Sequence, residues 1–108
     1  MDPITPQVSV TDLDAALSTG AVLIDVREPD EWLEARVAGG LHIPLGQVQA
    51  RVAEVPTDTR VYVICRSGGR SQRAADWLRQ QGIDAVNVSG GTLAWIDAGL
   101  DVSSGPAT

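Results

Sequence analysis

Three short, almost unbroken aliphatic runs narrow the possible folds more than any other feature of this chain. They are Val22-Leu23-Ile24-Asp25-Val26, Val61-Tyr62-Val63-Ile64 and Ala85-Val86-Asn87-Val88. A strand with one wet face alternates apolar with polar residues, whereas a run that is apolar throughout suits a strand covered on both faces, as in a parallel sheet. Helical stretches separate the runs. Leu13, Ala16 and Leu17 share one helical face behind Thr11, which reads as an N-cap with Asp14 as its capping-box partner, and Gly20 is placed to end that helix. Pro29 suits a first helical turn, with Asp30, Glu31 and Glu34 favourable near its positive end. Leu45, Val48, Val52 and Val55 recur at helical spacing up to Pro56 and predict an amphipathic helix. A further helix is expected from about Ser71 to Gln81, burying Ala74, Ala75, Trp77 and Leu78, with Gly82 as its left-handed cap and Ile83 folding back on Leu78. Thr92 should cap a last short helix carrying Leu93, Trp95 and Ile96. Val8-Ser9-Val10 and Leu41-His42-Ile43 add brief extended pieces. Strand and helix thus alternate, the pattern of an α/β class with a mainly parallel sheet.

A chain of 108 residues accommodates one domain. Residues 8–102 are expected to form its core and 103–108 a loose tail. Aromatics are limited to three Trp and one Tyr, so the core has to be aliphatic. The net charge of −6 gives no basic surface for nucleic acid or acidic membrane. No apolar run is long enough to span a bilayer. Met1 to Ser9 lacks the pattern of a signal peptide, and the single cysteine cannot form an internal disulfide, so a reducing cytoplasm is the expected setting.

That cysteine, Cys65, follows the central aliphatic run and opens the segment Cys65-Arg66-Ser67-Gly68-Gly69-Arg70-Ser71. Sites in open parallel sheets lie at the C-terminal ends of strands. Gly68 and Gly69 allow the tight curl that turns successive backbone N–H groups inward into an anion cradle. The following helix adds its positive end, and Arg66, Arg70 and Arg73 add formal charge. A thiol in that field ionises readily, and the thiolate is the nucleophile. A buried structural cysteine is the bland alternative.

The segment resembles the active-site loop of single-domain rhodaneses. Leu23-Ile24-Asp25-Val26-Arg27-Glu28 is similar to that family's early strand motif. Val37-Ala38-Gly39-Gly40-Leu41-His42-Ile43-Pro44-Leu45 resembles its stretch before an Ile-Pro pair, and Gly90-Gly91 with Trp95 resembles its C-terminal signature. The matches keep order and spacing from about Val8 to Val102. Ala35-Arg36 stands where the family often has Gly-His, and Ala38 replaces a Pro, which should alter a turn at some distance from the loop.

The resemblance implies a rhodanese-like sheet of five mainly parallel strands with helices on both faces. It implies a sulfurtransferase in which Cys65 takes sulfane sulfur from an anionic donor such as thiosulfate, holds it as a persulfide, and passes it to cyanide or a cellular thiol. Arg66, Ser67, Gly68, Gly69, Arg70 and Ser71 would bind the donor. Asp25 and Arg27 would support the loop, or form an ordinary strand-end salt bridge. No metal or organic cofactor is required. A phosphatase or arsenate reductase on the same fold is the rival, but those relatives carry a longer loop suited to a tetrahedral oxyanion. A binding module, or a persulfide carrier serving a sulfur-accepting partner protein, also stays open. His42 reads as a structural hydrogen-bonding residue, and Trp32, Trp77 and Trp95 as packing.

Overall fold

The computed structural model describes residues 4–106. Five strands form one sheet in the order β1-β5-β4-β2-β3, with β1 Gln7–Val8, β2 Val22–Asp25, β3 Leu41–His42, β4 Val61–Ile64 and β5 Ala85–Val88. Every pairing is parallel. The helices are α1 Val10–Leu17, α2 Pro29–Glu34, α3 Gly69–Gln80 and α4 Gly91–Asp97. No helix among the described residues is long and apolar enough to cross a membrane.

The two-residue period of a strand sorts the aliphatic runs into two cores. Val61, Val63 and Cys65 point to one face and pack with Ile24, Val26, Ala74, Ala75 and Leu78 under α3. Leu23, Ile64 and Val88 point to the other and meet Val10, Leu13 and Trp95 of α1 and α4. Leu78 is fully buried, a burial that contributes about 1.5–3 kcal/mol. Past Gly82 the chain turns back as expected: the Ile83 N–H bonds to the Leu78 carbonyl at 3.1 Å, and Ile83 joins the core beside Leu78.

Several local expectations are corrected. Ser9, not Thr11, caps α1, accepting the Asp12 N–H at 3.0 Å. The 45–55 segment forms two short 3-10 turns, Leu45–Gln47 and Val52–Glu54, in place of one helix. Its apolar residues still face the α3 core, so the spacing reported burial and not helicity. Helix α3 starts at Gly69, two residues earlier than Ser71, and Trp77 sits half-buried at its edge. Gly90 precedes α4 where Thr92 was expected. Residues 103–106 are not a loose tail: Ser103 bridges Arg36, and the Gly105 N–H and carbonyl bond to Leu33 and Arg36. The last two tail residues lie outside the described part.

Candidate active site

Cys65 follows β4, the middle strand, and the chain turns straight into α3 after Arg66-Ser67-Gly68. The reversal is possible because Gly68 takes φ +113°, a left-handed value that side chains resist. It aims the Gly68 N–H at the Cys65 sulfur, 3.1 Å away. The hydroxyl of Ser71, in the first turn of α3, lies 3.3 Å from the same sulfur. Cys65 is 1% exposed and belongs to the core under α3. Burial pushes its thiol up, but hydrogen bonds from the Ser71 hydroxyl and from the Ser71, Gly68 and Ser67 N–H groups outweigh this. The net effect holds the thiol below its ordinary value. The thiolate is therefore favoured by neutral donors at a helix start. Of the arginines that the sequence set around the loop, Arg70 interacts with the Cys65 charge, but less strongly than these donors do.

Those arginines are arranged differently from expectation. Arg70 is engaged by α2: both its terminal nitrogens grip Glu31, at 2.6 and 2.8 Å. Arg66 is exposed and has no ion-pair partner among the described residues. It lines a groove of about 160 Å³ with Glu31, Thr92, Leu93 and Ile96. Arg73 lines a separate groove with Leu45, Val48 and Trp77. The exposed side chain of Ser67 leaves its backbone N–H as its contribution at the sulfur.

Asp25 and Arg27 form a buried pair, 1% and 4% exposed. Arg27 donates from Nε and Nη2 to the Asp25 carboxylate, and further to the carbonyls of Glu31 at 3.3 Å and Ala35 at 2.7 Å. It thus fastens α2 to the end of β2, and α2 carries Glu31 to Arg70. The Ala35-Arg36 turn is consequently wired to the site and not remote from it. Arg36 lies over the Trp32 ring at 3.6 Å, Trp32 stacks on His42 at 5.0 Å, and His42 Nε2–H donates to the Arg27 carbonyl at 2.8 Å. From the other side, α4 holds the loop: Thr92 N–H bonds to the Cys65 carbonyl at 2.9 Å, and Leu93 N–H to the Arg66 carbonyl at 3.0 Å.

Three contributors escaped sequence reasoning. Glu31 was read only as a favourable charge at the start of a helix. Thr92 was read as a cap. Asn87, 3% exposed, was read as part of a strand, although it takes the Ser71 hydroxyl at 2.6 Å. A signal existed for Asn87: it stands two residues after Ala85, on the α3 face of the sheet, where a polar residue needs a reason.

Glu31 also gives an acid signature. Its carboxyl, bonded first by Arg70 against the cost of burial, is held at about 2, below the ordinary 4.5. A lowered folded-state value stabilises fully above the unfolded value and is lost as pH falls through the folded one. The pair is 33% and 24% exposed, so solvent screening limits it to about 1 kcal/mol. Glu31→Gln should cost that much at neutral pH, with the gap to the wild type closing between about pH 4.5 and about pH 2. Urea denaturation across that range is the check, and a gap that persists at the acid end would assign the loss to helix packing.

Comparison with known proteins agrees with this architecture. The model of the rhodanese-like domain family matches residues 9–98. A sulfurtransferase of Allochromatium vinosum is 38% identical over 82 residues, covering 75% of this chain and 77% of that protein. A rhodanese-related protein of Thermoplasma volcanium superposes with a TM-score of 0.86 at 31% identity, covering 91% of this chain and 97% of its own. The thiosulfate sulfurtransferase of Pseudomonas aeruginosa gives 0.85 at 31% identity, over 95% of this chain but 21% of that longer one. Taken with the parallel sheet and the short loop closing over a buried sulfur, these matches show that the chain belongs to the rhodanese-like domain family.

Proposed function

We propose that this domain is a sulfurtransferase that carries sulfane sulfur on Cys65, with thiosulfate as a competent donor. The observation that carries the reading is the size of the cradle. Only Arg66, Ser67 and Gly68 lie between Cys65 and the start of α3. The N–H groups of Ser67 and Gly68 converge with that of Ser71 on one sulfur atom, and a loop this short suits a second sulfur better than a phosphate.

In the first step the Cys65 thiolate attacks the outer sulfur of thiosulfate. The donor's S–S bond breaks, and sulfite leaves with the bonding pair. Cys65 is then a persulfide with its negative charge on the outer sulfur, where loop N–H donors stabilise it. In the second step a nucleophile such as cyanide attacks that outer sulfur and leaves as thiocyanate, returning the thiolate. Neither step calls for a metal or organic cofactor. Arg66, beside the groove floored by Leu93 and Ile96, is the loop cation available to steer an anionic donor, whereas Arg70 is balanced by Glu31. The relative named as a sulfurtransferase and the neighbour named for thiosulfate support the reading.

Intact-mass measurement after thiosulfate treatment tests it. One added sulfur atom is expected, removable by cyanide with formation of thiocyanate and absent from Cys65→Ser. A protein that takes up no sulfur, or that turns over an aryl phosphate at a comparable rate, would overturn the proposal.

A further inference from the structure

Asn87 lies within β5 with Val63 of β4 as its register partner, directly below the loop. Its side-chain nitrogen is 3.3 Å from the Gly68 carbonyl, 2.8 Å from Gln7 Oε1 and 3.2 Å from Gln72 Oε1. A backbone carbonyl can only accept, so the amide end of Asn87 must face Gly68, and its oxygen must face Ser71. That oxygen is 2.6 Å from Ser71 Oγ, whereas the Cys65 sulfur and the Gly68 carbonyl are each 3.3 Å away.

A serine hydroxyl has a single hydrogen to donate. Next to a neutral thiol, that hydrogen lies on the short line to Asn87, and a lone pair of Ser71 faces the sulfur. The thiol hydrogen then has an acceptor. A thiolate has no hydrogen to give and needs one from Ser71, which Asn87 already holds. We propose that Asn87 is a positioning residue that competes with the Cys65 sulfur for the Ser71 hydroxyl hydrogen, so that each ionisation of the sulfur is coupled to a rotation of that hydroxyl.

The balance is simple. Cys65 loses its proton to solvent, the Ser71 hydrogen stays on Ser71 and turns from Asn87 to the sulfur, and Asn87 gives up one accepted bond. The consequence for transfer rests on the reading of Cys65 as the sulfur carrier. In the persulfide the inner sulfur is neutral and the hydroxyl returns to Asn87. When an acceptor takes the outer sulfur, charge reappears on Cys65 and the hydroxyl turns to meet it.

The charged groups around the sulfur are the Arg70–Glu31 pair, the Asp25–Arg27 pair at the end of β2, and Arg66 of the loop. His42 of β3 is turned to the Arg27 carbonyl, and the first turn of α4 contributes Gly91, Thr92 and Leu93, none of them charged. Glu31, held at about 2, stays ionised throughout a titration of Cys65.

The test is the pH dependence of the thiolate's ultraviolet absorbance in the full chain. Asn87→Leu should lower the midpoint by about one pH unit, because the Ser71 hydrogen is then free for the sulfur. Ser71→Ala should raise the midpoint, and adding Asn87→Leu to Ser71→Ala should produce no further shift. An unchanged or raised midpoint in Asn87→Leu, or a shift that survives without Ser71, would overturn the proposal. If Asn87→Leu does not fold, the Raman S–H band of the wild type at acid pH decides: a hydrogen-bonded thiol that becomes free in Ser71→Ala supports the proposal, and a free thiol in the wild type overturns it. None of these measurements requires sulfur transfer, so their failure is separable from failure of the sulfurtransferase reading.

Discussion

Gly91→Ala should destabilise the domain by about 3 kcal/mol or more and remove most of the reactivity of Cys65. A Cβ on Gly91 would stand 2.6 Å from both the carbonyl carbon and the oxygen of Arg66, and would also press on the Cys65 carbonyl oxygen. These are backbone atoms, so no rotamer change relieves the clash. Nor can the loop retreat, since Thr92 and Leu93 hold the same two carbonyls at 2.9 and 3.0 Å. The close approach that the glycine allows is what places the start of α4 against the reactive loop. Gly99 provides the control. It also has positive φ, +77°, but a Cβ there would meet nothing within 4 Å, so Gly99→Ala should cost only about 1 kcal/mol of backbone strain. Urea denaturation of the two variants, with alkylation of Cys65 per folded molecule, separates the effects. Equal losses from the two would refute the packing argument.

Asp25→Ala should cost about 3–5 kcal/mol, because it strands a buried guanidinium without its counter-charge. Arg27 is 4% exposed and cannot reach water without leaving the carbonyls of Glu31 and Ala35. The loss should spread through α2 to Arg70 and so to the loop, lowering Cys65 reactivity beyond what unfolding explains. Replacing Asp25 and Arg27 together by Leu should recover part of the stability, since no charge is then left unpaired, but not the anchoring of α2. Equilibrium denaturation of the single and double variants reads both outcomes. A loss below about 1 kcal/mol for Asp25→Ala would show that the pair behaves as an exposed one.

The parallel sheet was legible because Val22–Asp25, Val61–Ile64 and Ala85–Val88 carry apolar residues on both faces, broken only by Asp25 and Asn87 among charged and amide side chains, and burial on both faces is a property that composition records directly. Cys65 was legible because a strand end, two glycines and a helix start lie within a few consecutive residues. The partners of the loop were less so. Glu31 and Arg70 stand 39 residues apart, and nothing local distinguishes Glu31 from Glu34 or Asp30 as the one that reaches across. The 45–55 segment misled because i, i+3 and i+4 spacing marks a buried face whether the backbone closes into one helix or two short turns. Ser9 won the cap over Thr11 because the helix begins at Val10, two residues before a Thr11 cap would start it. In each case the missing information is a distance between elements that tertiary packing decides.

Cys65 directly follows β4, which is hydrogen-bonded along both edges, to β2 and to β5. Interior strands of this kind are the last to open in native-state fluctuations, whereas loops and helix ends open at much smaller free-energy cost. The carbon that bears the sulfur is therefore expected to belong to the slowest-exchanging part of the molecule, whereas two of the covering donors, the Ser67 and Gly68 N–H groups, sit on a loop expected to open more readily. With the Arg66 carbonyl tied to Leu93 and Ser71 set in α3, any opening above the sulfur falls to Ser67 and Gly68, and the carbon that bears the sulfur is expected to stay fixed while they move.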